Sequence, residues 1–358
     1  MNTSETSVRH PGALGLPHGP AGDGRKAPAP AVGQPRRRTL LACGLAVGVG
    51  AGAAFGVHAE TTTYPSKLVT LIVPFAAGGT VDRVARQIQE PLRARLGQPL
   101  IIENKGGAGG TIGMAAVAKS APDGYTVALV FDSYATEQHI YPRLPYATLR
   151  DLTGVSYVAR SPMVLVVPAA SPYRTLQDYV AAARKPGAVS YASVGAGSSN
   201  HLAAELFHET AGTSGVHVPF KGGGPAITDL LGGHVDSMIA SLPLVLPQLQ
   251  GGKLRALAIT SPRRAAALPG TPAVAESYPG FEVYSWVGMV APARTPPPVL
   301  DRLAADMTAT LRDPEVVKRF TEGGFEVVAG SREQMNQLIR AESERWGRVI
   351  KARNIVAE

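Results

Sequence analysis

Two apolar periodicities alternate along the chain. Val69-Thr70-Leu71-Ile72-Val73-Pro74-Phe75 is a short run rich in β-branched residues, which predicts a buried strand. After Ala76-Ala77-Gly78-Gly79-Thr80, the residues Val81, Val84, Ala85, Ile88 and Leu92 recur at helical spacing. Residues 99–103 then predict a second strand, 104–111 a second glycine-rich turn and 112–119 a helix. Pro122-Asp123-Gly124-Tyr125 has turn chemistry, and 126–131 reads as a third strand. Strand and helix in alternation predict a parallel sheet. Such sheets bind ligands beyond the carboxyl ends of their strands. Ala77 to Thr80, the second glycine turn and Asp132-Ser133-Tyr134 are therefore expected along one edge.

The middle of the chain repeats this plan. Strands are predicted at 163–168, 189–193, 216–220, 235–240 and 254–260, with helices at 176–184, 200–210 and 225–231. The repetition predicts an α/β protein of two similar lobes, each a mainly parallel sheet flanked by helices. The last third adds a strand at 286–291, a helix at 297–311, a shorter helix from Pro314 and a long amphipathic helix from Arg332 to about Arg353. These are expected to return to the first lobe and close it. The lobes would then be 60–163 with 260–358, and 164–259.

Residues 1–59 break the pattern. Residues 1–35 are rich in Pro, Gly and Ala and show no apolar periodicity. Arg36-Arg37-Arg38 precedes a small, apolar run, and Val57-His58-Ala59 has small residues where signal cleavage needs them, leaving Glu60 as the new N-terminus. Arg37-Arg38-Thr39-Leu40-Leu41 resembles a twin-arginine export signal. Gly48, Gly50, Gly52 and Gly56 make the run a poor permanent span. Cys43, the single cysteine, follows the lipobox-like Leu40-Leu41-Ala42, but at the start of the apolar run, which argues against lipidation. Cleavage removes the only thiol, so the exported chain needs no disulfide.

Charge narrows the partners. Six of the 35 Lys/Arg and two of the 27 Asp/Glu lie in the leader, so the formal charge falls from +8 to +4 without it. A mild positive charge favours anionic ligands, and no basic run with interleaved aromatics marks a nucleic-acid partner. The first glycine turn is neither a Walker A loop nor Gly-x-Gly-x-x-Gly, which disfavours nucleotides, and no cofactor is expected. His139, His201, His208, His217 and His234 show no His-Glu-x-x-His spacing, so no metal is expected.

A strand, a glycine turn and a helix in that order aim free backbone N–H groups and a positive dipole end at one point, which suits a carboxylate. The same turn also serves plain close packing. Gly195-Ala196-Gly197-Ser198-Ser199-Asn200 offers the same choice: Ser199 or Asn200 caps the next helix, or its donors face a cleft. Lys221 is either a solvated charge or the partner of a second carboxylate. Asp82 is a first-turn helix acid that shapes the loop, or a partner for a ligand ammonium. Tyr134 covers the cleft or packs. His201 packs or bonds locally. Ser198, His201 and Asp236 offer a hydrolase triad on paper, but the second glycine of the elbow Gly-x-Ser-x-Gly is missing.

The chain resembles the Bug-type (TctC-like) periplasmic solute-binding proteins of tripartite tricarboxylate transporters over nearly all of 64–350. The resemblance is carried by Tyr64-Pro65-Ser66-Lys67, by Ile72-Val73-Pro74-Phe75-Ala76-Ala77-Gly78-Gly79 with Asp82 and Ala85-Arg86, and by Glu103-Asn104-Lys105 with Gly107-Ala108-Gly109-Gly110. Further on come Pro122-Asp123-Gly124-Tyr125, Gly197-Ser198 with His201-Leu202, and Val218-Pro219-Phe220-Lys221-Gly222. Gly251 to Ala258 and Ala291-Pro292 with Thr295-Pro296 complete it. It implies a two-lobed, type II-like Venus-flytrap protein, not an enzyme, with a small carboxylate in the cleft and an integral-membrane transporter as partner. A monomer is expected. The positions it implies at the ligand are Ala77, Gly78, Gly79, Thr80 and Asp82, and Ser198, Ser199, Asn200 and His201. Ser133, Tyr134 and Lys221 join them from the reading of strand ends and turns.

Two departures bear on ligand identity. Glu137-Gln138-His139-Ile140-Tyr141-Pro142 replaces an Asn-Pro pattern with leucine and tyrosine, and Ala240 stands where an acid is common before Ser241. Citrate-like acids, aromatic dicarboxylates, amino acids and nicotinate-like acids all fit. A sensory module signalling to a membrane receptor uses the same closure as a transport receptor.

Overall fold

The computed structural model describes residues 64–356; the leader, Cys43, the twin-arginine pattern and the bond after Ala59 lie outside the described residues. The predicted alternation is present from the first strand. β1 (Val69–Val73) leads through the glycine turn into α1 (Thr80–Leu96). β2 (Leu100–Asn104), a 3-10 turn Ala108–Gly110 and α2 (Thr111–Lys119) follow, then β3 (Thr126–Phe131), a second 3-10 turn Asp132–Ala135 and α3 (Glu137–Ile140). β4 (Leu152–Pro168) is a 17-residue strand. Next come α4 (Leu176–Ala183), β5 (Ser190–Ser193), α5 (Ser199–Ala211), β6 (Val216–Pro219), α6 (Gly223–Leu231), β7 (Ser237–Ser241), α7 (Leu242–Gln250) and β8 (Leu254–Ile259). The chain ends with α8 (Val274–Ser277), β9 (Tyr284–Pro292), α9 (Pro297–Leu311), α10 (Pro314–Glu322), β10 (Glu326–Gly330) and α11 (Arg332–Ala352).

The strand order is β2-β1-β3-β9-β4-β7-β5-β6, with β10 and β8 also paired to β4. Parallel pairing holds where helices cross over, in β2-β1-β3 and in β6-β5-β7. β4 runs antiparallel to β9, β10, β7 and β8, and β3 antiparallel to β9. Each sheet is thus mixed rather than mainly parallel, because the strands that carry the chain between the two halves have no helical crossover to reverse them.

β4 belongs to both halves. Leu152 to Pro162 pairs with β9 in register Leu152↔Pro292 to Pro162↔Tyr284, and Met163 to Pro168 pairs with β7 and β8. Both faces of both halves are covered. Val84, Ile88 and Leu92 of α1 pack with Leu303 and Met307 of α9 over one face of the first sheet, while Met114, Trp286 and Ile339 fill the other. In the second half Tyr179, Phe207 and Leu257 form one core, and Ile227, Met238 and Val245 the other. The long C-terminal helix does more than close the first half. Met335 and Ile339 join the core of Met114 and Trp286, but Trp346 and Ile350 join that of Tyr179 and Phe207.

Candidate functional site

A cleft of about 940 Å³ lies beyond the strand ends. One wall is built from Phe75 to Val81, Asp132 and Ser133, and the facing wall from Val194 to Asn200, Pro219 to Pro225, Ser241 and Leu244. Four helices, α1, α5, α6 and α7, begin on these walls. Gly79, Gly222 and Ser241 cap α1, α6 and α7 without a side-chain hydrogen bond, so first-turn donors stay open. The dipoles of all four helices add positive potential at the cleft.

The first turn is held from behind. Gly78 adopts φ +80, which a side chain would strain, and its N–H donates to Asp82 Oδ2 at 2.8 Å. Asp82 also accepts from Arg86 Nε (2.9 Å) and Asn104 Nδ2 (3.0 Å). Burial pushes the Asp82 carboxyl up, but these three hydrogen bonds outweigh it and hold the pKa below the ordinary value. At 1% exposure, with both oxygens engaged, Asp82 is a loop brace and not a contact for a ligand ammonium.

The second turn is built similarly. Gly197 has φ +74, and its N–H donates to His201 Nδ1 at 3.0 Å. The N-cap of α5 is Ser198, not Ser199 or Asn200; its hydroxyl accepts from His201 N–H at 3.4 Å. Asn200 is buried and donates to Ile239 O at 2.8 Å, which anchors α5 to β7. Ser199 is left on the cleft wall.

Of the residues singled out from sequence, Ala77, Gly78, Gly79, Thr80, Ser133, Ser198, Ser199, Asn200 and Lys221 meet at the cleft, Lys221 as an exposed side chain on its rim. Asp82, Tyr134 and His201 do not. Tyr134 is 2% exposed and its hydroxyl donates to Thr148 O at 2.8 Å, so it packs beneath the wall. His201 turns away and stacks on His217, with ring centroids 3.7 Å apart. The paper triad also dissolves: Asp236 Oδ2 accepts from Ser190 N and Oγ at 2.7 and 2.6 Å, and His201 is engaged by Gly197.

Three wall residues escaped the sequence reading as ligand candidates. Arg83 reaches from α1 to Pro243 O of α7 at 3.3 Å. Asp132 and Glu137 are buried acids, 4% and 3% exposed. Burial pushes the Asp132 carboxyl up to about 7 and the Glu137 carboxyl up to about 8, the latter despite a hydrogen bond from the Tyr146 hydroxyl. The sequence signal for Asp132 is its position directly after β3. For Glu137 it is the departure from the family pattern.

These acids and the buried histidines set opposite pH trends. Burial pushes His201, His208 and His217 down to about 4. Their folded values lie below the unfolded one, so their stabilisation is complete above about pH 6.5 and is lost on acidification towards pH 4. Asp132 and Glu137 have raised folded values, so their contribution is complete near pH 4 and is lost as pH rises through about 7 and 8. Between about pH 4 and 6.5 the two trends oppose; above that only the acids act. The ligand-free protein should melt highest near pH 6 and lose on the order of 5 °C by about pH 8.5. Scanning fluorimetry across this range checks it; a melting temperature still rising at pH 8.5 would contradict the assignment.

Interlobe cleft, helix N-termini and glycine turns together define a solute-binding protein of the two-lobed α/β kind. Comparison with known proteins gives the family. Residues 84–355 match the model of the tripartite tricarboxylate transporter family receptor, and the chain belongs to that family. It is similar to Protein BugT of Bordetella pertussis, with 38% identity over 318 residues, 88% of this chain and 97% of BugT. Among solved structures it resembles the periplasmic binding protein BugD, with 35% identity, 82% of this chain and 99% of that one covered, and a TM-score of 0.74. It also resembles R. palustris Rpa4515 with adipate, with 34% identity, the same coverage and a TM-score of 0.76. The family is one of solute receptors, not of enzymes. Among the described residues no helix is long and apolar enough to cross a membrane.

Proposed function

We propose that the protein is an extracytoplasmic receptor, exported by its leader, that closes its two lobes on a small carboxylate and delivers it to the membrane subunits of a tripartite tricarboxylate-type transporter. The observation that carries this reading is the pair of turns, Gly78-Gly79-Thr80 and Ser198-Ser199-Asn200, on facing walls of one cleft, each opening a helix. Carboxylate oxygens would take the N–H groups of both turns, and neither lobe alone would bury the ligand. The adipate in Rpa4515 supports a carboxylate ligand.

The lobes of this reading are 60–163 with 260–358, and 164–259. β4 changes partners at Pro162 and Met163, which supports a boundary there. Thr260 Oγ1 accepts from Met163 N–H at 2.8 Å and donates to Val283 O at 2.6 Å, tying the crossing segments into one buried hinge. The protein would act as a monomer, without nucleic acid.

Thermal-shift screening of mono-, di- and tricarboxylates should find ligands that raise the melting temperature, and calorimetry should then measure them. A Cβ on Gly79 would lie 3.2 Å from Ala76 O, so the turn must shift by a few tenths of an ångström, and the bulk of Gly79→Leu would block close approach of a ligand to the backbone. A charge-assisted hydrogen bond contributes about 1.5–3 kcal/mol, so losing one costs at least about tenfold in affinity. Ser199→Ala should cost less, because the backbone donors remain. Parental affinity in Gly79→Leu would place the site elsewhere.

A further inference from the structure

Among the described residues, Asp132 is an acid of the cleft wall with a buried oxygen left unpaired. It sits where β3 ends, lines the cleft and is 4% exposed. Oδ2 accepts from the Ser285 hydroxyl of β9 at 2.5 Å. Oδ1 is buried and has no hydrogen-bond partner among the described residues. The Ser199 hydroxyl and Ser133 N–H stand near enough to lower the carboxyl's pKa, but neither closes a hydrogen bond on Oδ1. An ionised carboxylate with a bare buried oxygen is costly, and such an oxygen is explained by a group that arrives later.

The surroundings decide which group arrives. From α11, Glu342 acts on Asp132 as a second acid, and Glu137 of α3 lines the same cleft. His139 of α3 is engaged by Ser343 at 2.9 Å, and His201 of α5 faces His217. Arg83 and Lys221, the cations of the wall, are both exposed. The helix N-termini make the cleft favourable to an anion and unfavourable to an ammonium. An anion is repelled by an ionised Asp132 but accepts a hydrogen bond from a protonated one.

We propose that Asp132 meets the ligand as a neutral carboxylic acid, its Oδ1–H donating to an oxygen of the bound carboxylate, so that the anion enters the cleft together with one proton. This rests on the carboxylate reading above. The proton comes from water or buffer, forms the O–H bond of Asp132 and leaves with the ligand. The net charge of the occupied site is that of the anion alone, since Asp132 is neutralised. Burial places the free carboxyl near 7, so both forms are present at neutral pH and the ligand selects the neutral one. Binding raises the pKa further; affinity is therefore level at low pH and falls as pH rises above about 7. Glu137, pushed up to about 8 and bonded to Tyr146, stays mostly neutral through that crossing.

Calorimetry in two buffers of different ionisation heat counts the protons. The probe is adipate, or the tightest member of a carboxylate panel if adipate is weak. The parent should take up about 0.1 proton near pH 6 and about 0.9 near pH 8, with roughly tenfold weaker binding at the higher pH. Asp132→Asn keeps a donor that does not titrate, so it should bind without proton uptake and equally at both pH values. Glu137→Gln should keep the parent's proton count at both pH values. Binding by the parent without proton uptake near pH 8, or equal uptake in Asp132→Asn, overturns this inference and leaves the carboxylate reading standing. No binding of any carboxylate overturns both.

Discussion

Gly197→Val abolishes ligand binding and leaves a folded protein. Gly197 lies at φ +74, in the left-handed region that a β-branched residue adopts only under strain. A Cβ added there would stand 2.5 Å from Ile140 Cδ1 and 2.9 Å from Ile140 Cγ1. Ile140 has no room to yield, since it is 3% exposed and packs in the core with Leu165 and Trp346. Gly197 and Ile140 both line the cleft, and Ile140 packs into the core of the second half, so the clash distorts the turn that opens α5. Strain and overlap together are worth about 3 kcal/mol against the parental geometry of the turn, or about a hundredfold or more in affinity. The distortion is local to the turn, so far-UV circular dichroism should match the parent while calorimetry shows no heat. Parental affinity in Gly197→Val would mean that the second turn does not hold the ligand.

Asp82→Ala should damage both stability and binding. The side chain is almost fully buried and accepts from Gly78 N–H, Arg86 and Asn104. Its removal leaves the Asn104 amide with only Phe75 O, at 3.1 Å, and frees the turn that presents Gly79 and Thr80. Loss of such a network costs about 3 kcal/mol, which lowers the melting temperature by on the order of 5–10 °C. Affinity should drop by at least about tenfold at a temperature where the variant is fully folded. Asp82→Asn keeps the shape but loses the charge and one acceptor, and should fall between. If Asp82→Ala melts with the parent, the brace is not what shapes the turn.

Local signals explain what was legible in the sequence. β1, β2 and β3 are short apolar runs bounded by turn chemistry, and their strand ends placed the first glycine turn and Ser133 at the cleft. The first half of β4 was missed because its register shifts between Gly154 and Ser156 and again between Tyr157 and Ala159, which breaks the two-residue alternation. α7 carries Pro243 and Pro247, which blur a helical pattern; Pro243 sits in the first turn, where its missing N–H costs nothing. The site divides in the same way. Turns that begin helices are visible in sequence, and Gly79, Ser198 and Ser199 do line the cleft. Which way a neighbouring side chain points is set by packing, so Tyr134 and His201 were placed at the ligand but lie behind the wall. Asp132 and Glu137 were not chosen because the burial of a carboxyl comes from elements far along the chain, such as β9 and the Tyr146 segment.

The continuity of β4 through both sheets limits how the halves can part. Covalent bonds along a strand do not stretch, so the cleft cannot widen by pulling the lobes straight away from each other. The segment through Thr260 and the helix α11, with one end seated in each half, add two more tethers that likewise resist translation. What remains is a swing and a twist about a line near Met163, a motion with few degrees of freedom. In the proposed closure the two turns would therefore separate and meet again along nearly the same path, each return bringing the same donors to the same places.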